Sequence, residues 1–357
     1  MRQPITQRLT PRVQALSAAA ALLALPFSTS LAAELNLPPI SVGAGVRTSF
    51  SSVNVDGPGE DVNDFSLNSA RIYISGKATE NISVMFNTEY NPDGDGDRSV
   101  DVIDAAVQFS FSDQFNIWAG RFLPPSDRAN LYGPYYASNW GVFRDGVQDG
   151  YLFETTGRDD GVMYWGQFGI AKVSFGVFDV PYTRGDSDVL YAGRVQLDFW
   201  DAENGYYLNG SYYGDKDLLA VGVAGQKVGS STGITGDFLL EKKLGNAGVV
   251  TVEAQIADYE APQGYVGGAP ADSDGYYVLG AYMFPQVIGI GKVQVLGKYG
   301  ESTYKMLSGD QDLETLELNL NYIIKGQNAR ISLFYIDQDL ESSGGGTEIG
   351  LGLQVQI

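Results

Sequence analysis

Arginine and lysine side chains occur in this sequence at positions where they could bind anions. Each lies in a run of alternating polar and apolar residues, on the polar side of the alternation. A guanidinium group matches the geometry of an oxyanion, whereas an ammonium group acts as a compact point charge. The cations that the alternation assigns to the polar face are Arg47, Arg71, Lys77, Lys172, Arg194, Lys292, Lys298 and Arg330. Arg121, at the end of a run beside a long loop, is a further candidate.

Acidic side chains fall on the same polar face. They are Glu89, Asp104, Asp198, Glu253 and Glu317. Two interpretations are open: the arginines form a track for anions such as phosphate or organic acids, or the cations and acids pair with one another across the wall. The long loops are acidic, so the first interpretation competes with weak ion selectivity or a preference for cations.

The chain contains no His and no Cys. This excludes catalysis by a His general base, metal ligation by His and haem attachment through a Cys-x-x-Cys-His motif. We therefore expect no enzyme, no catalytic residues, no cofactor and no metal site. The formal net charge of −20 repels nucleic acid, so we expect no nucleic-acid partner.

The elements that position these side chains are β-strands with a period of two. In the last nine residues Ile349, Leu351, Leu353 and Val355 alternate with Gly and Gln, and the chain ends at Ile357. An apolar strand at the chain terminus is an aggregation-prone edge unless another strand covers it. The simplest partner is the first strand, around residues 40–47, which would close the sheet into a barrel. The terminal stretch resembles the C-terminal signal of bacterial outer-membrane barrel proteins.

Residues 1–32 have the features of an export signal. Arg2, Arg8 and Arg12 precede an apolar stretch from Ala15 to Leu25 that is too short to span a bilayer, and small residues follow. Its removal would bring the formal charge to −23. We therefore predict a signal peptide at 1–32 and one outer-membrane β-barrel domain at 33–357.

The connections between strands alternate between short and long. Tight turns on the periplasmic side and longer loops outside are typical of transmembrane barrels, whose strands alternate lipid-facing and lumen-facing residues. Residues 206–227 are read either as one long strand with a kink at 214–217 or as a hairpin. Only the first interpretation keeps the strand number even, so we predict sixteen strands, with eighteen as the alternative.

Several stretches in chain order resemble the phosphate-selective porin O/P family of outer-membrane channels. They are residues 70–90, 104–125, 158–162, 172–180, 238–259, 275–286 and 316–335. The resemblance implies a sixteen-stranded homotrimeric porin in the bacterial outer membrane, whose third long loop folds into the lumen and narrows it.

The candidate for that constriction loop is Pro124–Gly150. A loop of this length with no recognisable element is uncommon unless it is functional or disordered, and its aromatic content argues against disorder. Its residues expected at the constriction are Arg128, Tyr132, Tyr135, Tyr136 and Arg144, with Trp140 and Phe143 nearby. The alternative is a loop on the cell surface or at a trimer contact.

The leading functional prediction is a water-filled channel for passive diffusion of small hydrophilic solutes and inorganic ions, with outer-membrane lipid as the other partner. The alternatives are a non-channel surface barrel that serves adhesion or anchoring, and a soluble secreted β protein. The stretch Asp93–Asp97 resembles the start of a calcium loop, but Arg98 stands where the loop needs Gly. We therefore predict no EF-hand there.

Overall fold

The first and last strands of the barrel pair with each other. Strand β1 (Ile40–Val55) runs antiparallel to the last strand, β16 (Gly346–Gln356). Ala44 and Ile357 exchange two backbone hydrogen bonds, of 3.1 and 2.9 Å. The apolar terminal strand is thereby covered, as the sequence predicts, and no edge is left open.

A computed structural model describes residues 39–55, 61–92, 98–147, 157–179, 189–260, 272–306, 309–341 and 344–357. The remaining strands are β2 (Val62–Lys77), β3 (Ile82–Pro92), β4 (Arg98–Ser112), β5 (Phe115–Phe122), β6 (Asp159–Phe168), β7 (Ala171–Phe178), β8 (Leu190–Asp198), β9 (Leu218–Val228), β10 (Ser231–Lys243), β11 (Val249–Glu260), β12 (Asp272–Ile288), β13 (Gly291–Met306), β14 (Gly309–Lys325) and β15 (Ala329–Leu340). One helix, α1 (Arg128–Tyr136), lies between β5 and β6, and two single 3₁₀ turns occupy Gly245–Ala247 and Gly326–Asn328. The predicted signal peptide and the calcium-like stretch at 93–97 lie outside the described residues.

The sixteen strands form one closed antiparallel barrel in which every strand pairs with its neighbours in sequence. This confirms the predicted all-β fold and the predicted strand number. We call the end of the barrel where β1 begins and β16 finishes the terminal end, and the opposite end the distal end.

The outer face of the barrel is apolar. In β16 the side chains of Ile349, Leu351, Leu353 and Val355 are 43–54 % exposed. The alternate residues of the same strand point inward and are buried. Such alternation places apolar side chains outside and small or polar ones inside, as in a barrel that faces lipid.

The inner face is not uniformly polar. Leu279, Ala281 and Leu296 point inward and form a buried apolar cluster on β12 and β13. Alternation alone assigned large apolar residues to the outer face. These residues show that inward positions tolerate apolar side chains where they cover one another.

The prediction for residues 206–227 was wrong in part. Only Leu218–Val228 is a strand, and residues 199–217 form an irregular loop at the terminal end. Strand β9 is joined to β10 at the distal end by Gly229 and Ser230 alone, with Gly229 at φ 56°. The even strand number holds, but the rule that long loops lie only at the distal end does not.

Candidate functional site

Two loops enter the barrel from opposite ends. The distal inward loop (residues 123–147) connects β5 towards β6, and the terminal inward loop (residues 199–217) connects β8 to β9. Nearly every residue of the distal inward loop from 123 to 135 is buried, and Tyr206, Leu208 and Ser211 in the terminal inward loop are at most 3 % exposed. The predicted inward fold of Pro124–Gly150 is confirmed up to residue 147.

The distal inward loop contains a short helix that the sequence analysis did not recognise. The carboxylate of Asp127 accepts a hydrogen bond of 3.0 Å from the backbone N–H of Asn130 and so caps α1. Gly133, at φ 60°, breaks the helical conformation, and Pro134 follows it. A Gly-Pro pair in a nine-residue segment predicts a turn, so the sequence alone does not predict this helix.

The second half of the distal inward loop is held by arginines of the wall. The Arg330 guanidinium donates to the carbonyl oxygens of Ala137, Ser138 and Asn139 at 2.7, 3.0 and 3.2 Å. Arg47 donates to the carbonyl of Trp140 at 2.9 Å and lies 4.3 Å from the centre of its ring. Backbone carbonyls without secondary structure need such donors when they are buried.

Glu317 binds the same segment from the other side. Its carboxylate accepts from the backbone N–H groups of Trp140 and Gly141 at 2.8 and 2.9 Å, and from the Asn139 amide at 2.8 Å. The backbone of Trp140 is therefore held from two sides: Arg47 binds its carbonyl oxygen and Glu317 binds its N–H group.

Glycines of the wall make room for the aromatic rings of this loop. A Cβ built on Gly45 would lie 2.7 Å from the ring of Tyr135, and one on Gly352 would lie 2.5 Å from the ring of Trp140. Real Cβ atoms do not approach that closely, so a larger residue at either position must displace the ring. Trp140 also stacks on Phe334, with ring centres 5.5 Å apart.

The terminal inward loop binds the distal one directly. The backbone N–H groups of Leu208 and Gly210 donate to the carbonyls of Leu131 and Tyr136 in α1, at 3.2 and 2.9 Å. Glu241 of β10 anchors the terminal inward loop by accepting from the hydroxyl of Ser211 and from the backbone of Tyr212 and Gly214. The two loops thus meet inside the barrel and form one packed unit.

A buried ion pair joins the two loops. The Arg128 guanidinium donates to both carboxylate oxygens of Glu203, one bond being 3.0 Å, and to the carbonyl of Asn209 at 3.0 Å. Both side chains of the pair are 0 % exposed. Burial alone would raise the pKa of Glu203, but the Arg128 guanidinium lowers that pKa below its ordinary value. The pair is therefore ionised at neutral pH.

A second buried acid shares this cation network. Asp237 of β10 binds the Arg194 guanidinium through both carboxylate oxygens, one bond being 2.8 Å, and lies 3.7 Å from the Nε atom of Arg128. Asp127 lies close by: burial, with the neighbouring Asp237 charge, raises its pKa to about 6. The charges under the first turn of α1 are thus balanced closely, with one carboxyl that titrates near neutrality.

The wall of the lumen is covered on one side and open on the other. Inward residues of β8 to β16 are almost all buried beneath the loops, for example Gln196, Leu239 and Thr251 at 0–1 % exposure. Several inward residues of β2, β3 and β4 stay partly exposed, although Ser69, Asp104 and Ala106 on the same strands are buried. The open wall, as we call it, consists of Arg71, Tyr73, Ser83, Met85, Asn87, Glu89 and Gln108.

Tyr135 and Tyr136 of α1 both lie next to this open wall. The buried Tyr135 ring lies 5.2 Å from the Arg71 guanidinium and 6.3 Å from the Tyr73 ring, and Tyr136 is 38 % exposed. Burial raises the pKa of Tyr136, and the positive charge of Arg71 opposes that rise. Tyr136 and the open wall therefore border space that the two inward loops do not fill.

Most of the sequence-predicted site residues lie on the covered wall or in the loops. The buried ones are Arg47, Arg128, Tyr132, Tyr135, Arg194, Lys298 and Arg330. Arg71 and Tyr136 border the open space, Lys77 is exposed at the terminal end, and Arg144 is half-buried at the distal mouth. The cations of the covered wall bind loop carbonyls or carboxylates, including Lys298 with Asp145.

Arg121 is on the outer face of the barrel, so its assignment to the lumen is corrected. It pairs with Asp160 of β6 at 3.5 Å. The alternate residues Trp118 and Phe122 point inward, where they belong to the largest apolar cluster. Because this cluster lies beneath α1, the inner face of β5 is apolar, and the rule that apolar residues face outward fails there.

A cavity of about 420 Å³ opens at the distal mouth. Arg144 and Glu348 border it and form an ion pair. No group of three or more acidic or other metal-binding side chains in the described ranges is placed to hold a metal ion. No helix within those ranges is long and apolar enough to cross a membrane.

Three carboxylates that hold the inward loops are not among those predicted from the sequence: Glu203, Asp237 and Glu241. Alternation within 237–244 does place Asp237 and Glu241 on one face, and this signal could have found them. Glu203 lies in a loop and gives no such signal.

The fold is similar to those of known outer-membrane proteins. The channel DcaP of Acinetobacter baumannii has a TM-score of 0.58 at 12% identity, with 89% of this chain and 97% of that chain covered. The anion-selective porin of Comamonas acidovorans has a TM-score of 0.54 at 15% identity, with 90% and 100% covered. The trimer form of OmpT of Vibrio cholerae has a TM-score of 0.51 at 14% identity, with 90% and 100% covered. No protein-family model and no curated protein sequence matches the chain.

Proposed function

We propose that this chain is an outer-membrane channel through which small hydrophilic solutes and ions diffuse passively. The observation that carries the proposal is the closed sixteen-stranded barrel with an apolar outer face and an inward loop across its lumen. In a bilayer, a closed barrel satisfies every backbone hydrogen bond and presents apolar side chains to lipid. The similar folds of a channel and a porin support the same reading.

The route we propose for the solute runs along the open wall. The side chains there include the Ser83 hydroxyl, two amides, one thioether and an Arg–Glu pair, whose polar groups can exchange hydrogen bonds with water and with a polar solute. Pore diameter and charge at the narrowest ring decide which solutes pass. Because two loops fill the remaining lumen, we expect a narrow channel with a low size limit.

Anion or phosphate preference, which the resemblance to the phosphate-selective porins implies, is the finer part of this proposal. The fold of the anion-selective Comamonas porin is compatible with it. The covered arginines, however, bind loop carbonyls and carboxylates, which supports the alternative in which lumen charges pair with one another. A reversal potential in a salt gradient decides between strong anion selectivity and weak selectivity.

We also propose the cellular setting. Residues 1–32 would direct export and be removed, and the mature chain, residues 33–357, would insert into the bacterial outer membrane. A homotrimer is proposed because the resemblance implies it and because a similar fold is recorded in a trimer form. Cross-linking of the detergent-extracted protein would test the trimer. We propose no reaction for this chain, in keeping with the absence of His and Cys.

Reconstitution in a planar lipid bilayer tests the channel directly. We expect stepwise increases of conductance, each small because the two inward loops cover most of the lumen wall that the structure describes. A folded barrel that produces no conductance steps in the bilayer would contradict the proposal. Heat-dependent migration on a gel, with and without boiling, establishes that the barrel is folded in the sample used.

A second candidate function is a non-channel surface barrel for adhesion or anchoring. The observation that favours it is the dense packing of both loops against the covered wall, which leaves Arg128, Glu203 and Leu239 at 0 % exposure. This candidate predicts a stably folded barrel with no conductance in the wild type. A variant lacking residues 203–212 would then conduct whereas the wild type would not.

A further inference from the structure

The two charged side chains of the open wall form a close pair of opposite sign. Arg71 and Glu89 lie opposite each other on neighbouring strands β2 and β3 and form an ion pair. Their side chains are 12 % and 19 % exposed, which distinguishes them from the completely buried pair between the two loops. A charge at this position acts on a solute in the passage with little protein between the charge and the solute.

Glu89 is fixed by more than its arginine. Its carboxylate accepts from the hydroxyl of Ser69 at 2.6 Å and from the backbone N–H of Ala70 at 3.2 Å. These three donors, Ser69, Ala70 and Arg71, hold the carboxylate in place beside the Arg71 guanidinium. The Glu89 carboxylate is therefore held where it can compensate the positive charge of Arg71.

Asp104 of β4 repeats this arrangement one residue pair further towards the terminal end. It accepts from the amide of Asn87 at 2.8 Å, from the Nε atom of Arg158 at 3.2 Å and from the hydroxyl of Tyr207 at 3.4 Å. Its side chain is 4 % exposed, so its charge lies slightly behind the surface of the passage.

The other described side chains of the open wall, together with Tyr136, are uncharged. Tyr73, Met85, Asn87 and Gln108 on the wall and Tyr136 on the loop are neutral. Arg47 lies nearby but is covered, and Glu317 binds the backbone of Trp140 on the side opposite to it. Lys77 and the Arg144–Glu348 pair lie at the two mouths, beyond the narrow part.

We infer that Glu89 and Asp104 are selectivity-determining residues: they cancel the charges of Arg71 and Arg158, so that the passage is nearly neutral and favours uncharged polar solutes over ions of either sign. The inference rests on the proposed function and adds to it the class of solute. Without the carboxylates, the arginines would make the same passage attractive to anions. Their charges would act on any anion that passes within the screening distance of about 10 Å.

Reversal potentials of reconstituted channels in a potassium chloride gradient test the inference. We expect weak selectivity in the wild type, and about a five-fold shift of the permeability ratio towards chloride in Glu89→Gln, the size expected for one unit charge close to the ion path. Asp104→Asn shifts the ratio in the same direction by less. Arg71→Gln shifts it towards potassium, and the double variant Arg71→Gln with Glu89→Gln returns it to the wild-type value.

Two controls separate charge from fold. Glu89→Asp keeps the charge and leaves the ratio unchanged. Glu253→Gln removes an equally inward carboxylate that is 0 % exposed beneath the loops and also leaves it unchanged. If heat-dependent migration shows that Glu89→Gln does not fold, the expected shift of the permeability ratio towards potassium in Arg71→Gln is sufficient to test the inference.

Liposome swelling with an uncharged sugar and with equally sized anions and cations gives the solute class. We expect the uncharged solute to enter fastest in the wild type, and Glu89→Gln to speed the anion selectively. A conducting wild type whose ratio is unmoved in both Glu89→Gln and Arg71→Gln would overturn this inference and leave the proposed function standing. Absence of conductance in every variant would overturn both.

Discussion

The covered wall and the open wall of this barrel use the same residue types for different purposes. On the covered wall Arg330 and Glu317 hold the backbone of the distal inward loop and are at most 1 % exposed. On the open wall Arg71 and Glu89 hold each other and remain partly accessible. The face of the strand is the same in both cases, so the function of an inward charge depends on what covers it.

This difference separates stability from selectivity. Charges beneath the loops fix where the loops lie and thereby how much of the lumen is left. Charges on the open wall act on the solute. Substitutions on the two walls should therefore change different measured quantities, and the following predictions test that separation in order of decreasing effect.

The largest effect is expected from Arg128→Ala. It leaves the buried carboxylates of Glu203 and Asp237 without their shared cation, and loss of one partner of a buried pair costs about 3–5 kcal/mol. We expect that decrease in the free energy of unfolding, measured by urea titration in detergent, together with a larger channel conductance because the loops separate.

A double variant, Arg128→Met with Glu203→Leu, should recover a large part of the lost stability, since it leaves no unpaired charge from the ion pair. Equal instability in both variants would show that the pair does not join the loops.

Gly352→Val is expected to have the second largest effect. The new side chain must displace Trp140, which lies 2.5 Å from the position of its Cβ. Overpacking of this kind costs about 1–3 kcal/mol, and we expect conductance to change as the loop moves. Gly280→Val is the matched control, because nothing lies within 4 Å of a Cβ at Gly280 and that residue is exposed on the outer face.

Asp127→Asn should stabilise the protein by about 1–2 kcal/mol at neutral pH. Burial raises the pKa of Asp127 to about 6, so the folded state holds this carboxylate at a cost above that pH, whereas the unfolded state ionises it freely above about 4. Asn keeps the oxygen that caps α1. The advantage of the variant, measured as a difference in melting temperature, should decrease as pH falls from 7 to 4 and vanish below 4. An advantage independent of pH would contradict the assignment.

The smallest effect on stability is expected from Tyr136→Ala. Tyr136 is 38 % exposed and faces the open wall, so its truncation should change the free energy of unfolding by about 1 kcal/mol or less. Conductance should nevertheless rise, because the ring narrows the passage. Tyr277→Ala, at a fully buried position of the covered wall, should show the reverse: a large loss of stability with little change of ion selectivity.

Strand positions were predictable from the sequence because alternation is a local signal. The pairing of the first and last strands and the even strand number follow from alternation and an apolar final strand, whereas the inward fold of residues 124–147 is what the resemblance to a porin family implies. What covers each inward residue is not local. Arg47 and Arg71 look alike in sequence, yet one lies under Trp140 and the other faces the open space.

The terminal inward loop was mistaken for a strand for a physical reason. Its Tyr-Tyr pairs at 206–207 and 212–213 have high β propensity, which reflects a fit to half-buried surfaces rather than a backbone preference. Here those rings pack against α1 and the wall instead of a neighbouring strand, for example Tyr206 with its hydroxyl on the carbonyl of Leu123 at 2.8 Å. Gly205 and Gly214, both at positive φ, allow the chain to leave the sheet.

Thiol modification of single-cysteine variants during conductance recording tests most directly that solutes pass along the open wall. The natural chain has no Cys, so each introduced thiol is the only one. A charged methanethiosulfonate reagent should reduce the conductance of Met85→Cys, on the open wall, and leave Ser332→Cys, 0 % exposed on the covered wall, unchanged. Modification and block at Ser332→Cys with none at Met85→Cys would contradict the account.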